Sequence, residues 1–597
     1  MANYFNQTKS KPGWVLVVVL LMYSRTFSAD YLAKTASEVW SLSSQLAPGD
    51  TITMAVGIWE NQQIVFSGTG TSEAPLLLRA EIAGQVLLTG TSTLQLAGEY
   101  LVVDGLLFAN GYSMQGDGVI EFEYGSNFAN HSRLTNTVIV DYNPPSQATN
   151  YKWVSLYGHD NRVDHCYMAG KNHAGSTVVV WLEGGADNHH LIDNNYFGQR
   201  PDLGVNGAET IRVGTGAYSM VSSNTVIEYN LFEHCNGEAE IISNKSLNNI
   251  FRYNTFFESE GSLTLRNGNF GTAHNNYFIG NGKSGTGGIR VIGEDQLIYN
   301  NYFENLRGTG NQAALVLVNG DTIPEPDHKY DPVKRAKIYH NTFINCKETI
   351  LIGGGSDNAR VVAPEDCIIA DNLVLSEIAS EVIEFEEQPT NLIWQGNIMF
   401  GRGLVIGGGS IDGITWVDPG LEQDTFGLWQ LSDTSIAIDA STGSYAFMTD
   451  DMHGQSRDGN FDVGADEYSD DAITHRPLTA TDVGPYWWPV EFPVSAIKSD
   501  QELLPTTVAL HQNYPNPFNP VTTVSFELPE LAVITLNIYD LMGREVWQLA
   551  EGEFMAGEYR YTWDGRNNTG ELVPSGIYFA KVTANDYTKS IKMLFLK

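Results

Sequence analysis

The chain has 597 residues with 34 basic and 70 acidic side chains, which gives a formal net charge of −36. This charge argues against nucleic acid and anionic membrane surfaces as partners, because both repel an acidic protein. Hydrophobic residues make up 42% and aromatic residues 11%, which excludes a chain that is disordered throughout. The 59 glycines predict many tight turns, as β-rich repeat folds require.

The first 29 residues have the pattern of a signal peptide. Lys9 and Lys11 precede the apolar run 14–23, and small residues close the segment. The run is too short to cross a membrane, and no later segment is long and apolar enough to do so. We therefore predict that residues 1–29 direct export through the periplasm, and that the protein is secreted or attached to the cell surface. The next stretch, 29–46, favours a helix.

The body of the chain repeats a short motif, in which an Asn is followed by any residue and then a large apolar one. Four of the seven gaps between successive copies are 22–25 residues long, and the other three are longer. This period is typical of the coils of a solenoid, with the longer gaps holding loops on one face. The motif positions are Asn195, Asn230, Asn254, Asn276, Asn301, Asn341, Asn372 and Asn397.

Each repeat contains short stretches rich in Ile, Val, Tyr and Phe, separated by Gly and Asn. This pattern predicts about three strands per coil, and therefore an all-β protein with a right-handed parallel β-helix over residues 30–470. The recurrent Asn is interpreted as an internal ladder that satisfies backbone groups at a bend. The helix predicted near residues 29–46 would cover the open N-terminal end of the solenoid.

Residues 471–505 are acidic, contain proline and lack the repeat, so they are predicted to form a linker. The four cysteines match no zinc pattern. Cys346 and Cys367 are 21 residues apart, so the sequence leaves open both a disulfide between neighbouring coils and buried free thiols.

Residues 506–597 have a different character, with short strands separated by Gly, Asn and Pro turns. This pattern predicts a small Ig-like β-sandwich. The segments NYPNPFNP, WDGRNNTG with PSGIY, and the terminal KMLFLK resemble the C-terminal sorting domains of the type IX (Por) secretion pathway. The resemblance implies that the type IX secretion machinery is a partner and that it delivers the protein to the cell surface or the medium.

Charged side chains recur at a similar phase on successive predicted coils. Glu238 and Glu240 are two residues apart and therefore lie on one face of a strand. Lys245 follows at the next turn, Arg266 comes 21 residues later and Arg290 another 24 residues later. Such a stripe is either a solvated face with weak surface salt bridges or a functional groove.

One coil earlier, Asn206, Glu209 and Arg212 fall close together in the sequence. Two like charges on one strand face repel each other unless a cation lies between them. Glu238 and Glu240, together with Asn206, offer oxygen ligands of the kind that calcium takes. A calcium site is therefore one interpretation of this cluster, and a solvated acidic face is the other.

The segments NGAETIR, EAEIISNKS and LTLRNGN resemble polysaccharide lyase family six, which contains β-helical alginate lyases and the dermatan-cleaving chondroitinase B. The resemblance covers about residues 30–470 and implies a Ca²⁺-dependent lyase. By this resemblance Asn206, Glu238 and Glu240 would bind Ca²⁺, Lys245 would be the general base and Arg266 the general acid. The sequence departs from the family at Asn267, where a substrate-contacting His is common; this affects the expected substrate contacts. Arg290, Arg212 and Lys171 are further candidates for pairing with carboxylates or sulfates along the groove.

The chemistry of such a site is consistent in physical terms. The C5 proton of a 4-linked uronic acid lies beside a carboxylate whose charge makes carbanion formation costly. Ca²⁺ on that carboxylate would neutralise it and stabilise the developing enediolate. Neighbouring Ca²⁺ and Arg266 would favour the neutral amine of Lys245 that can remove the proton.

The expected substrate is alginate, with dermatan sulfate as the alternative. Two other classes of function compete with the lyase. A glycoside hydrolase would use Glu238 and Glu240 as an acid pair but would leave Lys245 and Arg266 without a role. A non-catalytic surface adhesin would bind polysaccharide and would keep binding it after Lys245→Ala. Preference for mannuronate or guluronate, and endo or exo cutting, depend on loops such as 307–335. A solenoid with capped ends needs no partner, which predicts a monomer.

Overall fold

The computed structural model divides the chain into two compact units, Met1–Ile497 and Lys498–Lys597. It describes residues 28–113, 118–182, 187–204, 206–323, 329–355, 359–405, 409–457, 459–488, 508–513, 516–528, 532–554, 557–585 and 587–596. The predicted signal peptide lies outside the described residues except for Ser28 and Ala29. No helix among the described residues is long and apolar enough to cross a membrane.

The first unit is a parallel β-helix, as predicted, built from three 14-stranded sheets. Sheet 1 contains Asp30–Ala33, Thr51–Met54, Leu76–Ala80, Leu101–Asp104, Arg133–Thr135, Arg162–Asp164, Leu191–Asp193, Val226–Glu228, Ile250–Arg252, Thr272–His274, Leu297–Tyr299, Lys337–Tyr339, Ile368–Ala370 and Ile393–Gln395. Sheet 2 contains Gln63–Thr69, Thr93–Glu99, Ile120–Glu121, Glu123–Tyr124, Asn127–Asn130, Val154–Leu156, Val178–Val180, Ile211–Gly214, Glu240–Lys245, Gly261–Asn267, Thr286–Val291, Leu315–Val318, Ile350–Gly354 and Ile383–Phe385. Sheet 3 contains Gly57–Glu60, Val86–Gly90, Leu107–Gly111, Val138–Val140, Tyr167–Ala169, Tyr196–Phe197, Leu231–Glu233, Thr255–Phe257, Tyr277–Ile279, Tyr302–Glu304, Thr342–Ile344, Leu373–Ser376, Asn397–Gly401 and Ile414–Trp416.

Smaller elements decorate this solenoid. Two antiparallel pairs, Gly320–Asp321 with Arg360–Val362 and Leu421–Gln423 with Trp429–Leu431, lie outside the three sheets. Short 3₁₀ turns occur at Gly216–Tyr218 and Gly310–Gln312.

The N-terminal end is covered by a helix, Ala36–Ser43, which is shorter than the predicted stretch 29–46. The helix begins after Thr35, whose hydroxyl accepts a hydrogen bond from the Glu38 N–H at 3.2 Å. The preceding residues are a strand instead, because Asp30–Ala33 pairs with the first full coil in parallel register.

The recurrent Asn residues form the predicted internal ladder. Asn254 is typical: its backbone N–H donates to Asn276 Oδ1 at 3.0 Å, and its side-chain amide donates to the Ile227 carbonyl at 2.8 Å. The ladder is fully buried and satisfies backbone groups at the same bend in each coil from Asn195 to Asn397. Beside it, inward-facing phenylalanines stack with ring centroids 4.5–5.0 Å apart, and they are Phe197, Phe232, Phe256, Phe278, Phe303 and Phe343.

The described residues of the segment 417–488 run back over the outside of sheets 1 and 3, and we call this segment the strap. Leu478 N–H donates to Thr255 Oγ1 at 2.8 Å, and the Trp487 indole N–H donates to the Asn136 carbonyl at 2.9 Å. Trp487 and Trp488 also pack against apolar residues of sheet 3. The described part of the predicted linker, 471–488, is therefore part of the first unit, and the remainder, 489–505, lies outside the described residues.

The second unit contains two small antiparallel sheets around one apolar core, in line with the predicted β-sandwich. One sheet contains Ala509–Leu510, Thr522–Leu528 and Gly557–Trp563, and the other contains Ala532–Tyr539, Glu545–Phe554, Gly576–Ala584 and Tyr587–Phe595. All four cysteines of the chain are free and buried in the first unit, so the disulfide between Cys346 and Cys367 that the sequence left open is not formed.

Candidate active site

The candidate site lies on the outer face of sheet 2, where two opposite irregularities interrupt the strand register. Glu240 pairs with Ser262, but the next pair is Ile242 with Leu263, so the first strand contains one extra residue. At its far end the neighbouring strand contains the extra residue, Arg266, because Lys245 pairs with Asn267. β-Bulges re-aim side chains, and these two frame the stretch that carries the predicted site.

Three carboxylates converge at this point. Glu209, Glu238 and Glu240 each place one oxygen within 4.8 Å of the others. Burial raises the pKa of Glu238, and the negative charges of Glu209 and Glu240 raise it further. The Gly207 N–H donates to Glu238 at 3.3 Å and offsets only part of this effect.

Two arginines face the most deeply buried of these acids. The Glu240 carboxylate accepts hydrogen bonds from Arg266, Arg290 and the Ser243 hydroxyl. Burial alone would raise the pKa of Glu240, but the charges of Arg290 and Arg266 outweigh burial and lower it. Glu240 is therefore ionised, and it orients both guanidinium groups at the groove.

Lys245 lies beside the acids and remains accessible, with 19% of its side chain exposed. Its Nζ is 3.5 Å from Glu209 Oε1. Glu209 is almost fully buried, and its second oxygen, Oε2, makes no hydrogen bond. Asn267 occupies the position next to Lys245 on the following coil and is 2% exposed.

Glu238, Glu240 and the two arginines line a cavity of about 370 Å³. Its lining residues are Asp202, Gly204, Asn206, Glu238, Ala239, Glu240, Arg266, Arg290 and Tyr330. The Tyr330 ring lies 5.3 Å from the Arg266 guanidinium carbon and 4.5 Å from that of Arg360, so it forms a wall between two cations.

The structure thus brings together most of the predicted site residues. Asn206, Glu238, Glu240, Arg266 and Arg290 share one cavity, and Lys245 lies next to it through its contact with Glu209. Arg212 lies on the neighbouring strand, with its guanidinium carbon 5.1 Å from the Trp181 ring.

The predicted substrate contact of Lys171 is wrong. Lys171 is 1% exposed, and its Nζ donates to the Tyr151 carbonyl at 3.1 Å and lies 2.8 Å from His173 Nε2. Burial, followed by the charge of Arg200, lowers the pKa of Lys171 well below its usual value. This side chain supports the interior of the solenoid and does not reach the groove.

Sequence reasoning assigned no role to Glu209 or Tyr330. Glu209 follows Asn206 by three residues, and that spacing was the available signal. Tyr330 belongs to the long insertion between the ladder residues Asn301 and Asn341, where the repeat gives no guide to position.

The cluster of Asn206, Glu209, Glu238 and Glu240 is suited to a hard divalent cation. Its donors are all oxygens, which Ca²⁺ prefers. Glu209 Oε2 is buried without a hydrogen-bond partner, and the charges of Glu209 and Glu240 add to the effect of burial in raising the pKa of Glu238. A cation among the carboxylates would give Glu209 Oε2 a partner and would offset the repulsion on Glu238.

Fold and site together define a parallel β-helix protein with a lateral groove lined by acids, a lysine and arginines. The Chondroitinase B family model matches residues 33–437. A mannuronic acid specific polysaccharide family 6 lyase from human gut microbiota is 30% identical over 65% of this chain and 91% of that one, with a TM-score of 0.56. The chain therefore belongs to the Chondroitinase B family, whose solved relatives here are family 6 polysaccharide lyases.

Two other solved structures are similar to this chain. The PL6 family alginate lyase AlyGC is 35% identical, with a TM-score of 0.68, and the match covers 78% of this chain and 60% of that one. A PL6 family polysaccharide lyase from Pseudopedobacter saltans is 27% identical, with a TM-score of 0.56, over 77% of this chain and all of that one. The chain thus spans less than two thirds of AlyGC.

The second unit has a different relationship. The FlgD Ig-like domain model matches residues 516–587. The basal-body rod modification protein FlgD of Salmonella typhimurium is 42% identical over 53 residues, which are 9% of this chain and 23% of that protein. This similarity agrees with an Ig-like unit.

Proposed function

We propose that the protein is a polysaccharide lyase that cleaves 4-O-linked uronic acid polymers by β-elimination, with alginate as its substrate. The observation that carries the proposal is that Lys245 and Arg266, on neighbouring strands, both contact a three-carboxylate cluster, Lys245 at Glu209 and Arg266 at Glu240. A proton acceptor and a proton donor beside one anion-binding groove are what such an elimination requires.

Ca²⁺ would be held by Asn206, Glu238 and Glu240, with Glu209 as a further oxygen donor, and would supply charge neutralisation at the substrate carboxylate. Lys245 Nζ accepts the proton from C5 of the uronate. The electron pair of that C–H bond forms the C4=C5 double bond, and the bond from C4 to the glycosidic oxygen breaks. Arg266 protonates or hydrogen-bonds that leaving oxygen, and no water is consumed.

Arg290 and Glu240 position the acid in this scheme. Glu240 accepts hydrogen bonds from both guanidinium groups, so Arg266 is held over the groove instead of turning to solvent. Tyr330 limits its movement from the other side. A donor held in place before the reaction pays no reorganisation energy during it.

The choice of alginate rests on relatives, two of which are named an alginate lyase and a mannuronic acid specific lyase. Dermatan sulfate is the second candidate, because the matching family model is described as Chondroitinase B. Both polymers contain the 4-linked uronate that the mechanism needs.

The test is the ultraviolet absorbance of the unsaturated uronate product, with alginate or dermatan sulfate, in Ca²⁺ or with a chelator. We expect a rise on alginate that falls at least about a hundredfold in Lys245→Ala and in Arg266→Ala, since positioned acids and bases contribute about 10²–10⁴ in rate. Lys347→Ala, an exposed lysine elsewhere on the solenoid, is the matched control and should keep full activity.

Each other outcome has a distinct meaning. A rise on dermatan sulfate alone would keep the mechanism and change the substrate. New reducing ends without absorbance would indicate hydrolysis, and polymer binding without any cleavage would indicate an adhesin. Activity that survives the chelator would refute the role of Ca²⁺.

We also propose that residues 506–597 direct secretion by the type IX machinery, supported by the Ig-like unit and by the C-terminal motifs of the sequence. In a host with that pathway, the full chain should reach the surface or medium, whereas a chain ending at residue 488 should remain in the periplasm. Equal export of both would contradict the proposal.

A further inference from the structure

Two cations lie on the N-terminal side of Lys245: Arg212 in the sheet 2 strand Ile211–Gly214, and Lys152 two residues before the strand Val154–Leu156. Val180 pairs with Val213, and Val213 pairs with Asn244, so Trp181 and Lys245 occupy the same position two coils apart. Arg212 is on the strand between them. Two strand spacings correspond to about 9–10 Å, a distance that a sugar chain bound at Lys245 spans within a few residues.

Both cations are arranged around one indole ring. The Arg212 guanidinium carbon lies 5.1 Å from the centre of the Trp181 ring, and Lys152 Nζ lies 5.7 Å from it. Trp181 stacks on Tyr157 with centroids 6.0 Å apart, and Tyr157 stacks on Phe128 at 5.7 Å. These five residues form what we call the cation–aromatic ladder.

Neither cation forms an ion pair within 4.0 Å among the described residues. Glu209 and Glu121 act on Lys152 only from a greater distance, where their charges raise its pKa. Outward-facing arginines of sheet 1 behave differently, since each of three pairs with an acid: Arg133 with Asp164, Arg162 with Asp193 and Arg252 with Glu228. In a chain with 70 acids and 34 bases, two neighbouring cations that remain unpaired are unusual.

The hydrogen-bonding groups at this place point to the same kind of ligand. Arg212 Nε and Trp181 Nε1 are buried donors that make no hydrogen bond. Burial and the nearby charge of Arg212 lower the pKa of Lys152, and they outweigh the opposing charges of Glu209 and Glu121. Unsatisfied donors beside two neighbouring cations call for an anionic acceptor.

We propose that Arg212, Lys152 and Trp181 form a subsite that binds the carboxylate of a uronate residue of the substrate, on the N-terminal side of Lys245. Arg212 recognises the planar carboxylate through its paired N–H groups, and the aromatic rings contact the apolar surface of the sugars. Tyr157 and Phe128 extend the contact to the following residues of the chain. This inference rests on the proposed function, because it assigns part of the same groove to the same class of substrate.

The test compares uronate oligosaccharides of increasing length with the full-length enzyme. For Arg212→Gln and Lys152→Met we expect KM to rise about tenfold or more on long oligosaccharides, because one lost charged hydrogen bond weakens binding by about that factor or more. We expect kcat to change little, and the shortest cleaved oligosaccharide, which does not reach the subsite, to be unaffected. Arg212→Lys retains the positive charge but loses the planar guanidinium group. Its KM on long oligosaccharides should therefore lie between that of the wild-type enzyme and that of Arg212→Gln.

Arg162→Gln removes one positive charge from sheet 1 and is the matched control, with KM unchanged at every length. If Arg212→Gln and Lys152→Met change KM by the same factor at every oligosaccharide length, or do not change it at all, the subsite is refuted and the lyase remains. Loss of kcat at all lengths would also overturn the subsite, since that indicates a role in the reaction or in folding.

Failure of the proposed function is recognised separately, by calorimetric binding of long oligouronates to Lys245→Ala. If the wild-type enzyme cleaves nothing but binding is weakened about tenfold by adding Arg212→Gln, the subsite stands and the lyase does not. If binding is absent or unaffected by Arg212→Gln, the subsite is refuted. A carboxyl-reduced oligosaccharide, which is neutral, should bind equally with and without Arg212→Gln.

Discussion

The Asn ladder allows a stability prediction at a position well away from the reaction. Asn341 is fully buried, and its Oδ1 accepts from the Asn301 N–H at 3.0 Å and from the Asn301 side-chain amide at 2.9 Å. Its own amide donates to the carbonyls of Ile298 and Tyr339 and to Asn372 Oδ1, at 3.2, 3.0 and 2.9 Å. Asn341→Ala removes all five hydrogen bonds and leaves a polar void.

The cost can be worked from these contacts. The Asn301 N–H loses its acceptor inside the solenoid, and a buried donor without a partner costs about 1–3 kcal/mol. The acceptors that lose a donor add a smaller amount, because carbonyl oxygens have a second lone pair. We therefore expect Asn341→Ala to lower the free energy of unfolding by about 3 kcal/mol.

Two measurements check this value. Denaturant unfolding should show a lower midpoint, and hydrogen exchange of the Asn301 amide should accelerate about a hundredfold, since each 1.4 kcal/mol corresponds to a factor of about ten. Asn341→Asp should cost at least as much, because its carboxyl can accept from Asn301 but, when ionised, cannot donate to the carbonyls. Asn150→Ala, at an exposed asparagine, is the control.

The reasoning is refuted if Asn341→Ala changes the unfolding free energy by less than about 0.5 kcal/mol, the range of ordinary surface substitutions, and leaves exchange at Asn301 unchanged. Loss of lyase activity in a protein that remains fully folded would also refute it, since the ladder would then serve the reaction and not the fold.

Two further predictions concern buried titratable groups. Burial raises the pKa of Cys235 and Cys346 to about 12 and that of Cys367 to about 11. A thiol-disulfide reagent should therefore leave the native protein unmodified and should react with four thiols in denaturant. Rapid reaction of the native protein would contradict the structure. Burial also raises the pKa of Asp141 from 3.8 to about 7, so its contribution to stability is present at low pH and is lost as pH rises through about 7. Asp141→Asn should therefore raise the denaturant midpoint at about pH 8 and change it little at about pH 4, whereas an equal effect at both would show that the charge of Asp141 is not the cause.

The repeat made the solenoid predictable from sequence, because every coil must satisfy the same backbone groups at the same bend. The asparagines from Asn195 to Asn397 satisfy those groups, so their spacing in the sequence gives the length of each coil. The helix cap was predictable for a similar reason, since an open sheet edge requires a cover. The strap was not, because segment 471–488 contacts sheet 3 through single side chains such as Trp487 and has no period of its own.

The individual site residues also divide into those that local spacing could predict and those that it could not. Glu240 and Lys245 are the two ends of one strand and Glu238 precedes that strand by two residues, so their relation follows from local spacing alone. Lys171 looked equally suitable because its phase was similar, but phase does not distinguish a side chain that faces the groove from one that turns inward toward the Tyr151 carbonyl. That distinction depends on the local turn, which the repeat does not specify.

The two bulges are local departures from the repeat, and the repeat in the sequence could not predict them. A strand pair without bulges would keep the offset of 22 residues between Glu240 and Ser262, so that Asn244 would lie opposite Arg266, and successive side chains would alternate between core and solvent. The extra residue at Ile241 on one strand and at Arg266 on the next shifts the register and then restores it. Between them, Ser243 pairs with Thr264 and Asn244 with Leu265 in regular order. The departure is therefore confined to the two ends of one strand pair, where it turns Arg266 toward Glu240 without disturbing the ladder beneath.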